Sequence, residues 1–163
     1  HGRMWGSSSR GGMGHRGGGH GGWRPATNLD ITSILEIDDW GTITDVNVVN
    51  LSGSDMGAFR NLKITLVSPD ATKVKLAGSC NRVSSFDFDL DDGAEQALGG
   101  KNRSDCMPDD GGAYLPKTSL DTFIDEQSGG TWTLNITGKR KFRRSSNSGS
   151  LDSWGLEICR MEE

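Results

Sequence analysis

Hydrophobic and polar residues alternate with a period of two in a series of short segments that begins near residue 31. Each segment is rich in β-branched residues and is bounded by Gly, Asp, Ser or Pro, which is typical of β-strands. No window of ten or more residues has helical periodicity. Seven or more short strands predict an all-β protein, a jelly-roll antiparallel β-sandwich. The segments are ITSILEI (31–37), TITDVNVVNL (42–51), NLKITLVS (61–68), TKVKLA (72–77), SFDFDL (85–90), TWTLNIT (131–137) and SWGLEIC (153–159).

Two local patterns refine this prediction. In the second segment the apolar phase runs through Val46 and Val48 and then shifts to Val49 and Leu51. A shift of phase within one strand indicates a β-bulge. The sequence SPDA at 68–71 places Pro at the second position of a turn, so the segments on either side of it should form a hairpin.

The first 25 residues have a different composition. They include ten Gly and show no apolar periodicity, so we assign 1–29 to an extended Gly-rich tail and 30–163 to the sandwich. An extended tail can be ordered by backbone hydrogen bonds along the sheet edge of a neighbouring copy. The alternative is a tail folded onto its own domain. The expected assembly contacts are Trp5, Trp23, Arg10 and Arg16.

Charge is distributed unevenly between these two parts. The tail to residue 25 carries four Arg and no acid, so the rest carries 14 basic and 22 acidic residues, a balance of −8. A basic tail on an acidic body favours self-association or docking on a neighbour, although a solvated tail would look the same.

The segment SSFDFDLDDGAE (84–95) places carboxylates at every second position of a strand, about 6.5–7 Å apart, where they repel one another. A hard cation such as Ca²⁺ takes six to eight oxygen ligands and would turn this row into a site. The spacing does not fit an EF-hand, so a site in a sandwich loop is expected; a solvated acidic face is the alternative. The candidate ligands are Asp87, Asp89, Asp91, Asp92, Glu95, Asp105, Asp109 and Asp110.

The chain has three cysteines, an odd number. Cys80 and Cys106 bracket the acidic segment and are candidates for a disulfide, which would leave Cys159 free or paired between chains. Three buried thiols are the alternative. No Cys or His spacing indicates zinc.

Several segments, in this order, resemble the P domain, or homo-B domain, that accompanies subtilisin-like proprotein convertases and occurs in secreted bacterial proteins. They are GTITDVNVVNL, NLKITLVSPDATKVKLA, AYLP, SLDTF, GGTWTLNIT and GSLDSWGLEIC, within roughly residues 30–160. The resemblance implies a jelly-roll sandwich, often with bound calcium, and no catalytic residues of its own. The chain departs from the family pattern at Asn61, at Asp70-Ala71-Thr72 and at Gly138.

The run KRKFRR at 139–144 places five positive charges in a loop between the last two strands. It would fit a polyanion or the acidic region of an adjacent copy, or it is an ordinary charged hairpin tip. Nucleic acid is not expected because no aromatic stacking platform accompanies the run. The patch comprises Lys139, Arg140, Lys141, Arg143 and Arg144.

These features predict a secreted, non-catalytic, calcium-binding subunit of an extracellular assembly whose tail docks on a neighbouring copy. No enzyme is expected, because all three His lie in the tail and no G-x-S-x-G motif occurs. The partners would be copies of the chain, with no nucleic acid and no membrane span. The alternative, implied by the resemblance, is an accessory P domain of a secreted subtilisin-like protease. Twenty-nine residues ahead of the sandwich are too few for a protease domain, which favours the assembly unless the sequence is an excised domain of a longer protein.

Overall fold

The computed structural model describes residues 28–141 and 149–161 in full, together with the backbone of 3–5 and 9–11. These residues form ten strands and two short 3-10 helices, Ser104–Cys106 and Leu120–Phe123. The strands are β1 (Arg3–Trp5), β2 (Ser9–Gly11), β3 (Leu29–Ile37), β4 (Thr42–Ser54), β5 (Phe59–Val67), β6 (Lys73–Cys80), β7 (Phe86–Leu90), β8 (Asp109–Tyr114), β9 (Gly130–Arg140) and β10 (Ser150–Met161).

The strands form two sheets, so the predicted all-β sandwich is confirmed. One sheet, here called sheet A, has the order β1-β10-β4-β7-β8, with β2 also paired to β10. The other, sheet B, has the order β3-β9-β5-β6. All pairs are antiparallel except β7 and β8, which run parallel. The buried faces of the two sheets enclose one core.

Alternation along the strands explains how the core forms. In β3 every second residue is buried, and the exposed residues between them are polar except Ile34. The two strands that carry Trp132 and Trp154 bury both indoles completely. Burial of a large aromatic side chain supplies several times the hydrophobic free energy of a methyl group, so these tryptophans contribute strongly to the sandwich.

The predicted bulge in β4 is present. Pairing with β7 skips from Val48 to Leu51, and Asn50 between them has a φ of 54°. The buried residues are Val48 and Leu51, whereas Val49 is half-exposed. The extra residue therefore restores the inward phase at Leu51, and the expectation that Val49 also points inward is wrong.

The described pieces of the tail pair with their own domain. Arg3–Trp5 pairs antiparallel with the end of β10, and Ser9–Gly11 pairs with its middle at Trp154–Leu156. These two strands cover the outer edge of β10, as an extended segment does when it adds to a sheet. This is the alternative to docking on a neighbouring copy, and the rest of 1–27 lies outside the described residues. Strand β3 begins at Leu29, one residue before the predicted domain boundary.

Strand β8 was not expected from the sequence. Its residues, DDGGAY, are poor strand formers and carry no alternating apolar pattern. A disulfide joins Cys80 at the end of β6 to Cys106, just before β8. The third cysteine, Cys159, is buried in β10.

Candidate functional site

The acidic segment 84–95 begins as a strand of alternating environment. Phe86, Phe88 and Leu90 of β7 are buried, and Asp87 and Asp89 between them point away from the core. The side chain of Asp89 accepts a hydrogen bond from the backbone N–H of Asn50, 2.8 Å away. The carboxylate of Asp89 therefore satisfies the backbone N–H that the bulge displaces from the pairing of β4 with β7.

The next two carboxylates organise loops. The Oδ1 atom of Asp91 accepts from the backbone N–H of Gly93 at 2.7 Å. Asp92 accepts from the hydroxyl of Ser119 and from the backbone N–H groups of Leu120 and Asp121, at 2.8 to 3.1 Å. Asp92 therefore holds the start of the second 3-10 helix, in the way that an N-cap side chain does.

The remaining predicted ligands lie on separate elements: Asp105 in the first 3-10 helix, Asp109 and Asp110 in β8, and Glu95 in the segment between β7 and that helix. Asp105 pairs with the guanidinium of Arg103 at 3.1 Å, and Glu95 is exposed. The carboxylate of Asp109 accepts from the hydroxyl of Ser85, and Asp110 accepts from Gly112 N and from the hydroxyl of Tyr114. These side chains serve local hydrogen bonds, and the structure does not bring the eight predicted ligands to a common point.

A different group of acceptors lies where β4 and β10 meet the end of β7. The amide of Asn47 lies among Asp45, Asp91, Glu157 and the carbonyl of Val46. With its nitrogen towards Asp91 and Val46 O, at 3.1 and 3.0 Å, the amide oxygen faces Asp45 and Glu157. With the opposite orientation the oxygen faces Asp91 and Val46 instead. In either orientation, acceptors outnumber the two N–H donors of one amide.

The pKa of Asp45 reflects these surroundings. Its pKa is raised, first by burial and then by the negative charges of Asp91, Asp121 and Asp92. The pKa of Asp121 is also raised, by burial and by Asp92. Desolvation and like charge both disfavour the ionised carboxylate.

The acceptors around Asn47 are oxygen atoms, the ligand type that Ca²⁺ prefers. The residues thus fit a hard cation by chemistry. In the described ranges, no three His, Cys, Asp or Glu side chains are already arranged as a metal-binding group. Sequence reasoning found Asp91 and Asp92 here but missed Asp45 and Asn47, because a polar residue on a half-exposed strand gives no signal of what it will face.

Only part of the predicted basic patch is described. Lys139 and Arg140 form the end of β9 and Lys141 follows it, so the predicted loop position is wrong for the first two, which pair with β5. The guanidinium of Arg140 lies over the ring of Phe59, with its carbon 4.9 Å from the centroid. Arg143 and Arg144 lie outside the described residues. So do Trp23 and Arg16 and the side chains of Trp5 and Arg10 among the predicted assembly contacts.

A tryptophan that the sequence analysis did not single out is displayed on the surface. Trp40, between β3 and β4, is 65% exposed. Its loop is held on both sides: Asp39 O accepts from the hydroxyl of Ser128, and Gly41 N donates to the side chain of Gln127. The backbone N–H of Ser128 also donates to Gly41 O at 2.9 Å. A large aromatic ring on an anchored loop is the usual form of an interface anchor.

The surroundings of Trp40 support this interpretation. Its ring lies over Gly129, where a Cβ atom would come within 2.5 Å of Trp40 Cδ2, so only glycine fits beneath it. Met161 of β10, which is 39% exposed, is paired with Thr42 of β4. Arg160, only 9% exposed, has Nη2 3.7 Å from Asp39 Oδ1. Within the described part of the chain, its Nε and Nη1 have no hydrogen-bond partner. We call Trp40, Met161, Arg160 and Asp39 the Trp40 surface.

Comparison with known proteins identifies the same family that the sequence motifs resemble. The family model of the proprotein convertase P-domain matches residues 47–158. No curated protein sequence matches the chain. Among the helices of the described segments, none is long and apolar enough to cross a membrane.

Two solved structures share the fold. The serine protease of Aeromonas sobria aligns with 98% of this chain at a TM-score of 0.55 and 19% identity. The same enzyme in complex with its chaperone ORF2 aligns with 99% of this chain at a TM-score of 0.55 and 17% identity. In both, the chain spans 27% of the length of the matched protease. At this level of identity the likeness shows the fold alone.

Proposed function

The chain belongs to the proprotein convertase P-domain family, and from that membership we propose that it is a non-catalytic accessory domain of a secreted subtilisin-like serine protease. P domains are accessory domains of proteases and occur in secreted ones. The match over 47–158 includes most strands of both sheets. This proposal replaces the tail-mediated assembly as the primary function, because the described tail strands pair with their own β10.

The observation that carries the proposal in this molecule is the Trp40 surface. An anchored, mostly exposed indole is a typical feature of an interface hot spot. We assign the occupant of this surface to the protease domain, which contributes a hydrophobic pocket for Trp40.

A photo-crosslinking amino acid at position 40 tests this assignment. The chain carrying the crosslinker is produced in its source organism, irradiated and digested, and the cross-linked peptides are identified by mass spectrometry. The expected product joins position 40 to a subtilisin-like catalytic domain, whereas the same crosslinker at Lys101, exposed on another loop, should not yield it. Cross-links from position 40 only to copies of this chain would refute the assignment.

We also propose that Ca²⁺ binds at the acceptor cluster of Asp45, Asn47 and Asp91. What supports it is the excess of oxygen acceptors around Asn47 and the raised pKa of Asp45. A bound cation would remove the mutual repulsion of these carboxylates and hold the end of β7 against β4. The ligand set thus differs from the one expected from the sequence, retaining Asp91 and adding residues of β4.

Thermal unfolding in calcium and in chelator tests the metal proposal. Ligand at about 100 times its dissociation constant stabilises a protein by about 2.7 kcal/mol, so calcium should raise the Tm by several degrees. Asp45→Asn should abolish the shift, and Asp87→Asn, on the exposed part of the ladder, should retain it. Equal Tm values of the unaltered chain in calcium and in chelator would show that it binds no calcium.

A further inference from the structure

The two sheets carry opposite charge. The described strands of sheet A other than β1 and β2 contain seven acidic residues and one basic residue, the buried Arg160. In sheet B, the adjacent strands β9, β5 and β6 contain six basic residues and no acid, and the edge strand β3 contains two acidic residues, Asp30 and Glu36. The sandwich is therefore electrostatically polarised from face to face. A net charge of −4 conceals this separation.

The cations of sheet B form a regular stripe. Every second residue of β9 points outward: Thr133, Asn135, Thr137 and Lys139. Each of them, with the residues paired to it on the neighbouring strands, forms one of four successive rows that run across the sheet. The residues that supply the cations of these rows, in order, are Lys73, Lys75, Lys63 and the pair Arg60 and Lys139. Because two residues of a strand span about 6.7 Å, the four rows cover about 20 Å. We call these five residues the cationic stripe.

The acidic ladder of β7 has the same repeat. Asp87 and Asp89 point outward two residues apart, and Asp91 follows at the same interval. The spacing equals that of the cationic stripe because the same strand geometry sets both. Asp109 of β8 lies directly opposite Asp87 and adds a second carboxylate to the row.

Both faces carry like charges that the fold itself does not neutralise. Arg60 is directly opposite Lys139 in sheet B, as Asp87 is opposite Asp109 in sheet A. Like charges at directly opposed positions destabilise a sheet. Across the described residues, no ion pair involves any member of the cationic stripe, Asp87 or Asp109.

We propose that a second copy of this chain docks on the cationic stripe through its acidic ladder. The like charges on each face are then neutralised by the opposite charges of the neighbouring copy. A single kind of contact therefore explains both the cationic stripe and the acidic ladder. Each copy uses different faces towards its two neighbours, so the contact is head-to-tail and generates an open stack. The inference goes beyond the proposed accessory function and does not use the Trp40 surface.

Sedimentation velocity in chelator at low and high salt is the first test. The Debye length is about 30 Å at 0.01 M salt and about 3 Å at 1 M, so contacts between exposed charges should persist only at low salt. We expect concentration-dependent oligomers at about 0.01 M and the 17.5 kDa monomer at about 1 M. A monomer at every protein concentration in low salt would overturn the proposal, even if the chain then bound an anionic polymer such as heparin.

Charge-reversal variants identify the two faces. Lys63→Glu with Lys73→Glu lowers the stripe from five positive charges to a net charge of +1, and Asp87→Lys with Asp109→Lys lowers the ladder with Asp109 from four negative charges to a net charge of zero. Each variant alone should be monomeric at low salt. Their mixture should associate again at low salt, because the intact ladder of one variant can dock on the intact stripe of the other. Circular dichroism confirms that each variant is folded.

A matched control carries the charge change of the ladder variant at other positions. Asp38→Lys with Asp70→Lys alters two exposed loop acids and should leave the oligomers intact. If this control also dissociates them, or if the two face variants fail to combine, the contact is not between stripe and ladder. Failure here leaves the cross-link from position 40 unaffected, so the two proposals fail separately.

Discussion

At the scale of single residues, the carboxylates of this chain differ in role although the sequence presents them as one acidic region. Asp92 holds a 3-10 helix, Asp89 satisfies the displaced amide of a bulge, and Asp110 binds the hydroxyl of Tyr114. Alternation predicts that such side chains point outward, but it does not predict which donor each one meets. That depends on loops from distant parts of the chain, which the local sequence pattern does not reveal.

Tyr114 provides a residue-scale prediction because it is the only tyrosine. Its hydroxyl donates to Asp110 Oδ2 at 2.5 Å, and this bond together with burial raises the pKa of Tyr114 to about 12 from an ordinary 10.0. A titration of phenolate absorbance should therefore have its midpoint near pH 12. Asp110→Asn should move the midpoint towards 10, whereas Asp109→Asn should not. A midpoint near 10 in the unaltered chain would show that the bond is absent.

The same bond makes stability depend on pH in two ranges. The folded state raises the pKa of Tyr114, so the stabilisation is complete below pH 10 and is lost as pH rises through about 12. The folded state lowers the pKa of Asp110, chiefly through the Tyr114 bond, so its stabilisation is present above the ordinary 3.8 and is lost in more acidic solution. Tyr114→Phe should flatten the dependence of urea midpoints on pH in both ranges. An unchanged profile would contradict this account.

At the scale of elements, the strands with alternating patterns were predicted well, and the elements without such patterns were not. The seven predicted segments correspond to β3–β7, β9 and β10, with ends that differ by up to a few residues. Strand β8 was missed because DDGGAY has little strand propensity, and its place is set by pairing with β7 and by the nearby disulfide. Strand β8 therefore forms through tertiary contacts that its local sequence does not indicate.

The disulfide between Cys80 and Cys106 should contribute strongly to stability. Its cysteines are 26 residues apart, and a loop of that length corresponds to about 3.5 kcal/mol of loop-closure entropy in the unfolded chain. Replacing both cysteines by alanine should lower the free energy of unfolding by about that amount, as measured by urea denaturation. The unaltered chain under reducing conditions is the control and should lose a similar amount. A loss below about 1 kcal/mol in both would mean that the bridge constrains little.

The tail strands give a second prediction at this scale. Strands β1 and β2 cover the outer edge of β10, so deletion of residues 1–27 should leave that edge open. Hydrogen exchange should then become faster at the β10 amides that the tail protects, within 154–161, while β9 in the other sheet retains its protection. Unchanged exchange in β10 would indicate that the tail does not pair there in solution.

At the scale of the whole molecule, the family and the sandwich followed from the sequence, but the functional surfaces did not. Trp40 gives no sequence signal, since an aromatic residue beside a turn is buried in many proteins; its exposure depends on the loop at Gln127 and Ser128. Likewise, the run at 139–144 predicted one end of a basic patch. The other cations come from β5 and β6, which only sheet pairing places beside it.

The central claim is that this chain works as the accessory domain of a serine protease. The most direct measurement is to isolate the native protein from its source with an antibody against this chain and to treat it with a fluorophosphonate probe of active serine hydrolases. We predict a labelled subtilisin-like domain, identified by mass spectrometry, on the same polypeptide or in a stable complex with it. An isolate that contains this chain in quantity but no labelled serine protease would contradict the account.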